Sequence, residues 1–183
     1  CSQDIPLRIC SKALEKIEIV PGRMEVIAQK PFRVIVDYAF TPAALEKVYQ
    51  TLKPKEAKMI CVLGAAGGGR DKWKRPVLGK IAVAYCDRVI ITNEDPYEED
   101  PSQILSQIKS GISNSKFLMS NFYEILDRRE AIRKGLSFAG HGDTVIITGK
   151  GSEDSIAVRG GKKIPWDDRE VVREEMRTRS VDK

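Results

Sequence analysis

The sequence has few of the side chains from which metal sites and nucleophilic triads are built. His141 is the only histidine in the 183 residues, so a histidine-rich metal site is excluded and a histidine-based triad would need His141. Cys1, Cys10, Cys61 and Cys86 form no CxxC pair, and the last two lie in or beside apolar runs that suit buried thiols. We therefore expect neither a metal site nor a disulfide framework, and a location in the reducing cytoplasm.

Long apolar runs and runs of like charge are also missing. No apolar stretch approaches the roughly 18 residues that a membrane-spanning helix needs, and no targeting segment is evident. The net charge is only +5, no run of five or more like charges occurs, and Trp73 and Trp166 are isolated from other aromatic residues. The hydrophobic fraction of 42% is that of an ordinary globular domain. We expect neither a nucleic acid nor a membrane as a partner.

What the chain does contain is an alternation of strand-like and helical segments. Four short runs have the composition of buried strands: FRVIVD (32–37), KMICVLG (58–64), RVIIT (88–92) and DTVIITGKG (143–151). Helical periodicity separates them, as in Leu45, Val48 and Leu52, and Arg159-Gly160-Gly161 indicates a hairpin before a last helix. This alternation predicts βαβ units, a mainly parallel sheet and an α/β fold.

Ligands of such sheets bind beyond the carboxyl ends of the strands, where this chain concentrates its polar and glycine-rich residues. The segments that follow the four strands are 37–41, 64–71, 92–97 and 148–153. The second nearly matches a phosphate-binding loop, but Arg70 replaces the lysine and Asp71 the hydroxyl residue, so we reject a working P-loop. Arg70 can instead clamp a carboxylate or phosphate, although an ordinary solvated loop is the alternative.

The other strand ends offer carboxylates and flexible backbone. Glu94 and Asp95 could hold an ammonium group or a metal, or could simply complement the dipole of the next helix. Gly149 allows close backbone approach, and Glu153 could accept a hydrogen bond from an amine. Asp37 could reach a nucleotide or Mg²⁺ from the first strand end.

Taken in order, seven segments resemble the C-terminal domain of Mur ligases, and most closely the tripeptide synthetase (MurE-type) branch. They are VPGRMEVI (20–27), VDYAFTPAALEKV (36–48), GGRDKWKRPVLGKIA (68–82), ITNEDPYEEDPSQI (91–104), DRREAI (127–132), DTVIITGKGSE (143–153) and KKIPWDDREVVRE (162–174). The resemblance implies a Rossmann-like, three-layer domain with a mostly parallel six-stranded sheet and helices on both faces. It also implies that residues 1–19 end a preceding ATPase domain, that 20–31 form a linker, and that 32–183 form the amino-acid-recruiting domain.

The function implied by the resemblance is ATP-dependent ligation in peptidoglycan synthesis. The enzyme makes an acyl-phosphate on UDP-N-acetylmuramoyl-L-alanyl-D-glutamate, and this domain delivers the amine of the third amino acid. ATP and Mg²⁺ are the implied cofactors, with Mg²⁺ mainly on the central domain, and the central and N-terminal domains of the same enzyme are the implied partners. The chain lacks the catalytic P-loop, so we expect no catalytic residue in it and no activity from it alone.

The resemblance also implies roles for nine residues. Those expected to face ATP are Arg23, Asp37 and Lys74. Those expected to bind the amino-acid substrate are Arg70, Glu94, Asp95, Tyr97, Gly149 and Glu153, with Arg70 on its α-carboxylate.

Departures from the family pattern lie at Phe40 and Ser152, where the family usually has histidine, and at Tyr97. Members that add diaminopimelate read Asp-Asn-Pro-Arg, and the arginine binds the distal carboxylate, whereas this sequence reads Glu94-Asp95-Pro96-Tyr97. Our hypothesis is a monocarboxylate acceptor, with a cationic amino acid such as lysine favoured over diaminopimelate. The alternatives are a folylpolyglutamate synthase or cyanophycin synthetase type of ligase, and a non-catalytic module that binds an amino acid or nucleotide.

Overall fold

The computed structural model describes residues 5–112, 117 and 119–181. Its main feature is a six-stranded sheet with the strand order β1-β2-β6-β3-β4-β5. The strands are β1 (Glu25–Ala28), β2 (Arg33–Asp37), β3 (Met59–Leu63), β4 (Arg88–Ile91), β5 (Phe122–Glu124) and β6 (Thr144–Thr148). Only the β1–β2 pair is antiparallel. The prediction of a mostly parallel, six-stranded sheet is confirmed.

Helices cover both faces of the sheet and give it two separate cores. The helices are α1 (Leu7–Leu14), α2 (Pro42–Leu52), α3 (Lys74–Tyr85), α4 (Pro101–Ser110), α5 (Arg128–Phe138) and α6 (Asp168–Val181), and α2 to α6 are those that contribute to the cores. On one face, Ile35 of β2 packs in a cluster with residues of α2, α3 and α4. On the other, Val34 and Val36 of the same strand pack with residues of α5 and α6. Alternate side chains of the strand therefore reach opposite layers, which confirms the three-layer α/β architecture.

The local signals at the helix ends explain why the elements begin where they do. The side chain of Thr41 accepts a hydrogen bond from the amide of Ala44, and that of Asp127 from the amide of Glu130. Pro42 occupies the first turn of α2, where its missing N–H costs nothing. These caps fix where the chain leaves β2 and where it enters α5, and so fix the loops at the ligand edge.

The segment for which the resemblance implies a linker, 20–31, contains the edge strand β1. It belongs to the sheet because Glu25 and Val26 pair with Val36 and Ile35 of β2. Helix α1 ends at Leu14 and buries none of its residues. The predicted hairpin is present as β7 (Ser155–Val158) and β8 (Lys162–Pro165), a separate two-stranded sheet. Across the described segments we find no helix both long and apolar enough to cross a membrane.

Helices α3 and α4 approach each other through two glycines. A Cβ atom on Gly79 of α3 would overlap the carbonyl oxygen of Ile108 of α4, and one on Gly111 would overlap the carbonyl oxygen of Pro76. The backbones are therefore in direct contact, and neither position has room for a side chain.

We expect Gly79→Ala to lower the free energy of unfolding by about 2 kcal/mol, because the added methyl group must push the α3 and α4 backbones apart. Denaturant unfolding of the chain measures this change. Lys80→Ala, at the exposed next position, is the matched control and should alter the free energy by less than about 0.5 kcal/mol. Equal midpoints for Gly79→Ala and the unsubstituted chain would contradict the close packing.

Candidate functional site

The carboxyl ends of β2, β6, β3 and β4 lie side by side along one edge of the sheet. Strand β6 pairs in parallel with β2 on one side and with β3 on the other. The loop after β6 is tied to β2, since the amide of Gly149 donates to the carbonyl of Asp37 over 3.2 Å. The polar segments predicted to form a site are therefore brought together, as expected for a parallel sheet.

A buried lysine holds two of these loops together. The Nζ atom of Lys150, whose side chain is 1% exposed, lies 2.9 Å from both carboxylate oxygens of Asp95 and 2.7 Å from Oε2 of Glu153. Asp95 also accepts a hydrogen bond of 2.7 Å from the amide of Ala157. Burial works to lower the pKa of Lys150, but the two carboxylates outweigh it and raise the pKa, so the lysine is a cation in the folded state.

This cluster forms the floor of a cavity of about 280 Å³. The cavity is lined by Asp95, Tyr97, Lys150, Ser152, Glu153, Asp154, Ser155, Ala157 and Lys163. Three of the predicted substrate-binding residues, Asp95, Tyr97 and Glu153, therefore share one polar pocket, which we call the carboxylate pocket. Glu153 is further fixed by the hydroxyl of Tyr38, which donates to it over 3.1 Å.

Tyr97 has an unusual backbone conformation at the side of this pocket. Its φ angle is +50°, which non-glycine residues seldom adopt. The amide of Tyr97 donates to the carbonyl of Ala157 over 3.1 Å, and its ring covers Gly68, where a Cβ atom would come within 2.8 Å of the ring carbon Cδ2. The strained conformation thus aligns the tyrosine between the glycine-rich loop and β7.

Glu94 lies beneath the site rather than in it. Its side chain is buried, and its carboxyl group occupies the space where a Cβ atom of Gly149 would stand. The Oε2 atom has no hydrogen-bond partner among the described residues. Burial raises the pKa of Glu94 to about 7, against the opposing influence of the Arg128 guanidinium. Gly149 is therefore needed for the close approach of a carboxyl group of the protein itself.

The structure does not bring Arg70 into the carboxylate pocket. Arg70 follows Gly68 and Gly69, both with positive φ, and its exposed side chain lines a second cavity of about 380 Å³. That cavity, which we call the aromatic pocket, is lined by Phe40, Thr41, Pro42, Ala43, Arg70, Asp71, Trp73 and Lys74. The Nζ atom of Lys74 lies 5.1 Å from the centre of the Phe40 ring, and desolvation lowers the pKa of this lysine.

The other two residues predicted to face ATP are Arg23 and Asp37. The Phe40 and Tyr38 rings meet edge to face at 5.1 Å, and the guanidinium of Arg23 lies 4.4 Å from the centre of the Tyr38 ring. Asp37 is 5% exposed, and its oxygens accept hydrogen bonds from the amides of Met24 and Ala39, each 2.7 Å long. In this structure Asp37 anchors the segment before β1, and an ATP contact for it stays a prediction.

The glycine-rich loop is fixed by a residue that the sequence patterns do not single out. Arg75 is fully buried and donates to the carbonyl of Ala66 and to the carboxylate of Glu99 over 2.9 Å each. Hydrogen bonding to Arg75 lowers the pKa of Glu99 to about 2. Among the described residues, no group of three or more His, Cys, Asp or Glu side chains is placed to hold a metal ion.

Residues 22–151 match the Mur ligase glutamate ligase domain. The chain belongs to the Mur ligase family. It is 44% identical over 171 residues, 92% of its length, to the UDP-N-acetylmuramyl-tripeptide synthetase of Roseiflexus sp. (strain RS-1), of which it covers 33%. It is also 44% identical over 156 residues, 85% of its length, to the UDP-N-acetylmuramoyl-L-alanyl-D-glutamate–2,6-diaminopimelate ligase of Aquifex aeolicus, of which it covers 31%.

Solved structures agree with this membership. A UDP-N-acetylmuramoyl-L-alanyl-D-glutamate–2,6-diaminopimelate ligase superimposes with a TM-score of 0.79 at 36% identity, over 98% of this chain and 36% of that one. A folylpolyglutamate synthase from Mycobacterium tuberculosis shares only the fold, with a TM-score of 0.53 and 19% identity over 72% of this chain and 30% of that one. The chain thus spans about a third of the length of the relatives that it matches.

Lys150 and Tyr38 also belong to the candidate site, although sequence patterns do not mark them as binding residues. Lys150 stands between two glycines after a strand, which is a usable signal, but its burial between two carboxylates depends on loops 55 residues apart. The hydroxyl of Tyr38 meets Glu153 across 115 residues of sequence. Contacts over such separations leave no local pattern.

We expect Glu94→Gln to change how the stability of the chain depends on pH. The carboxyl group has a pKa of 4.5 when unfolded and about 7 when folded, so the folded state holds the proton more tightly. This contribution to stability is therefore complete below the unfolded pKa and is lost as the pH rises through 7. As the pH rises from about 5 to about 8, the free energy of unfolding of the wild-type chain should fall by on the order of 2 kcal/mol relative to that of the variant.

Denaturant unfolding at a series of pH values tests this expectation. The matched control is Glu56→Gln, because Glu56 is exposed and its curve should run parallel to that of the wild-type chain. If the free energy of unfolding of Glu94→Gln also changed with pH in parallel with that of the wild-type chain, burial would not raise the pKa of Glu94.

Proposed function

We infer that this chain is the C-terminal domain of an ATP-dependent ligase that adds the third amino acid to UDP-N-acetylmuramoyl-L-alanyl-D-glutamate in peptidoglycan synthesis. The observation that carries the inference is the buried Lys150, which joins Asp95 and Glu153 at the floor of a cavity of about 280 Å³. Carboxylates held in this way suit the amine of a single amino acid, and the cavity lies at the ligand edge of the sheet. Membership of the Mur ligase family supports the reaction class.

In this proposal the chain binds and orients the acceptor amino acid. Glu153 and Asp95 accept hydrogen bonds from its amino groups, and Tyr97 shapes the side of the carboxylate pocket. Arg70 lies on the adjoining loop and binds the α-carboxylate at the boundary between the two pockets. The neutral amine then attacks the acyl-phosphate carbon, and a C–N bond forms. The C–O bond breaks, its electrons leave with inorganic phosphate, and the nitrogen gives up one proton to that phosphate or to water.

The aromatic pocket suits the nucleotide. Lys74 supplies positive charge for phosphate oxygens, and Phe40 and Trp73 supply aromatic surface, in a cavity of about 380 Å³. Arg23 and Asp37 would also contribute to nucleotide binding. Mg²⁺ would be held mainly by the central domain of the enzyme, which would also contact the exposed apolar residues Leu7 and Leu14 of α1. Such an enzyme works in the cytoplasm.

The charges of the carboxylate pocket favour a cationic acceptor with one carboxylate. Three carboxylates, those of Asp95, Glu153 and Asp154, face two lysines, Lys150 and Lys163, and Lys150 is already paired. Tyr97 stands where diaminopimelate-adding relatives are expected to have an arginine, and it adds no positive charge. The tripeptide synthetase of Roseiflexus carries a name that leaves its amino acid open.

We expect the full-length enzyme to release phosphate from ATP in the presence of UDP-N-acetylmuramoyl-L-alanyl-D-glutamate and L-lysine or L-ornithine, and to respond poorly to meso-diaminopimelate. A phosphate-release assay with each amino acid measures this. Omission of the nucleotide-linked dipeptide is the control and should abolish release. Efficient turnover with diaminopimelate and none with lysine or ornithine would refute the proposed acceptor, and no amino-acid-dependent release at all would refute the proposed function.

The isolated chain should bind ATP only weakly, because the proposal assigns the triphosphate-binding loop and most Mg²⁺ ligands to another domain. Isothermal titration of the 183-residue chain with MgATP measures this. A dissociation constant below about 1 mM would contradict the division of the site between domains.

A further inference from the structure

Arg128 is buried at the start of α5, on the side of the sheet opposite α2, α3 and α4. Its guanidinium is 1% exposed and makes four hydrogen bonds. Two form a fork with Asp168, from Nε to Oδ1 over 2.8 Å and from Nη2 to Oδ2 over 2.7 Å. The other two go to backbone carbonyls, from Nη1 to Asn93 over 3.0 Å and from Nη2 to Thr148 over 2.9 Å.

Those two carbonyls belong to the residues that lead into the site. Asn93 directly precedes Glu94 and Asp95, and Thr148 directly precedes Gly149 and Lys150. The strands that end there, β4 and β6, are not neighbours, because β3 lies between them in the sheet. No single strand ladder joins the two loops directly, and β3 links their strands only through two separate ladders. The guanidinium of Arg128 spans that gap with two donors of one rigid, planar group.

The counterion of Arg128 comes from a third element. Asp168, the first residue of α6, is fully buried, and its Oδ1 atom also accepts a hydrogen bond of 2.8 Å from Nε1 of Trp166. Because a buried charge without a partner is costly, Asp168 keeps the guanidinium in place and sets its orientation. The start of α6 thus fixes the position of the guanidinium that links the two loops.

We propose that Arg128 is a positioning residue for the acceptor amino acid, which it serves by holding the Asn93 and Thr148 carbonyls at a fixed separation, with Asp168 as its support. The distance between Asp95 and Lys150 then follows from the bridge, and with it the shape of the carboxylate pocket. Arg128 touches no substrate in this arrangement. The inference rests on the proposed function, since it takes that pocket as the acceptor site.

The test uses Arg128→Lys in the full-length enzyme. Lysine keeps the positive charge beside Asp168, but its single ammonium group cannot reproduce the fork to two carbonyls and a carboxylate. We expect the KM for the amino acid to rise by about tenfold, while the KM values for ATP and for the nucleotide-linked dipeptide change by less than about twofold. The probe is whichever of L-lysine, L-ornithine and meso-diaminopimelate the wild-type enzyme uses with the highest kcat/KM.

Arg133→Ala is the matched control. Arg133 also lies on α5 and also pairs with α6, through Nε and Oε2 of Glu175 at 2.7 Å, but it contacts neither site loop. Its loss should lower stability while leaving the KM for the amino acid within about twofold of the wild-type value. If the only effect were a general loosening of the α5–α6 interface, the KM for the amino acid would rise equally in Arg128→Lys and Arg133→Ala. That result would overturn the proposal.

A second variant guards against misfolding of the first. Arg128→Gln combined with Asp168→Asn removes both charges together, so that neither is left buried without a partner. We expect the same selective rise in the KM for the amino acid. An unchanged KM in either variant, with an active wild-type enzyme, would defeat the role of Arg128 alone. A wild-type enzyme without amino-acid-dependent phosphate release would defeat the proposed function and this inference together.

Discussion

Strand β6 enters the sheet between β2 and β3, and the carboxylate pocket depends on this insertion. Its residues pair on both sides, as Ile147 does with Val36 and Val62, and all five are buried. Because β6 comes late in the chain, its neighbours are supplied by segments more than 80 residues earlier. The loop after Thr148 reaches Asp37 and Asp95 only once these distant pairings have formed. The site and the core of the sheet are therefore one cooperative unit.

The same sheet edge concentrates charged groups in an environment with little water. Lys150 pairs with Asp95, and Arg128 pairs with Asp168, so four buried charges are matched within hydrogen-bond distance. Such pairs add little net stability, since desolvation offsets most of their attraction, but the loss of one partner is costly. Their benefit is geometric: the Lys150–Asp95 pair ties two loops together, and Asp168 holds the Arg128 guanidinium against the backbone where the same two loops begin. Glu94 is buried at the same edge but, unlike these four groups, leaves one carboxyl oxygen without a hydrogen-bond partner among the described residues.

The architecture was predictable from the sequence because it is encoded locally. Apolar runs predict β2, β3, β4 and β6, the hydroxyl of Thr41 and the carboxylate of Asp127 mark helix starts, and Gly160 marks the hairpin. Asp95, Tyr97 and Glu153 share a pocket because parallel strands place their ends together. Strand β1 has no such local signature. Its membership of the sheet is decided by pairing with β2, and the pattern of VPGRME indicates only a connection.

The parts of the site that the sequence did not reveal depend on long-range contacts. The arginine at position 70 suggests a carboxylate clamp, but its side chain lies in the aromatic pocket because Gly68 and Gly69 turn the loop outward. The bridge made by Arg128 ends on two carbonyl oxygens, and every residue type has a carbonyl oxygen. No sequence motif can encode such a contact. The mutual placement of Glu94 and Gly149 is visible only in three dimensions for the same reason.

The contact between Tyr97 and Gly68 has a consequence for how this site can change in evolution. The tyrosine ring rests on a position that tolerates no side chain, and its own backbone has positive φ. A smaller side chain at position 97 would uncover the glycine-rich loop, and any side chain at position 68 would displace the ring. A substitution at either position therefore disturbs the packing of the other.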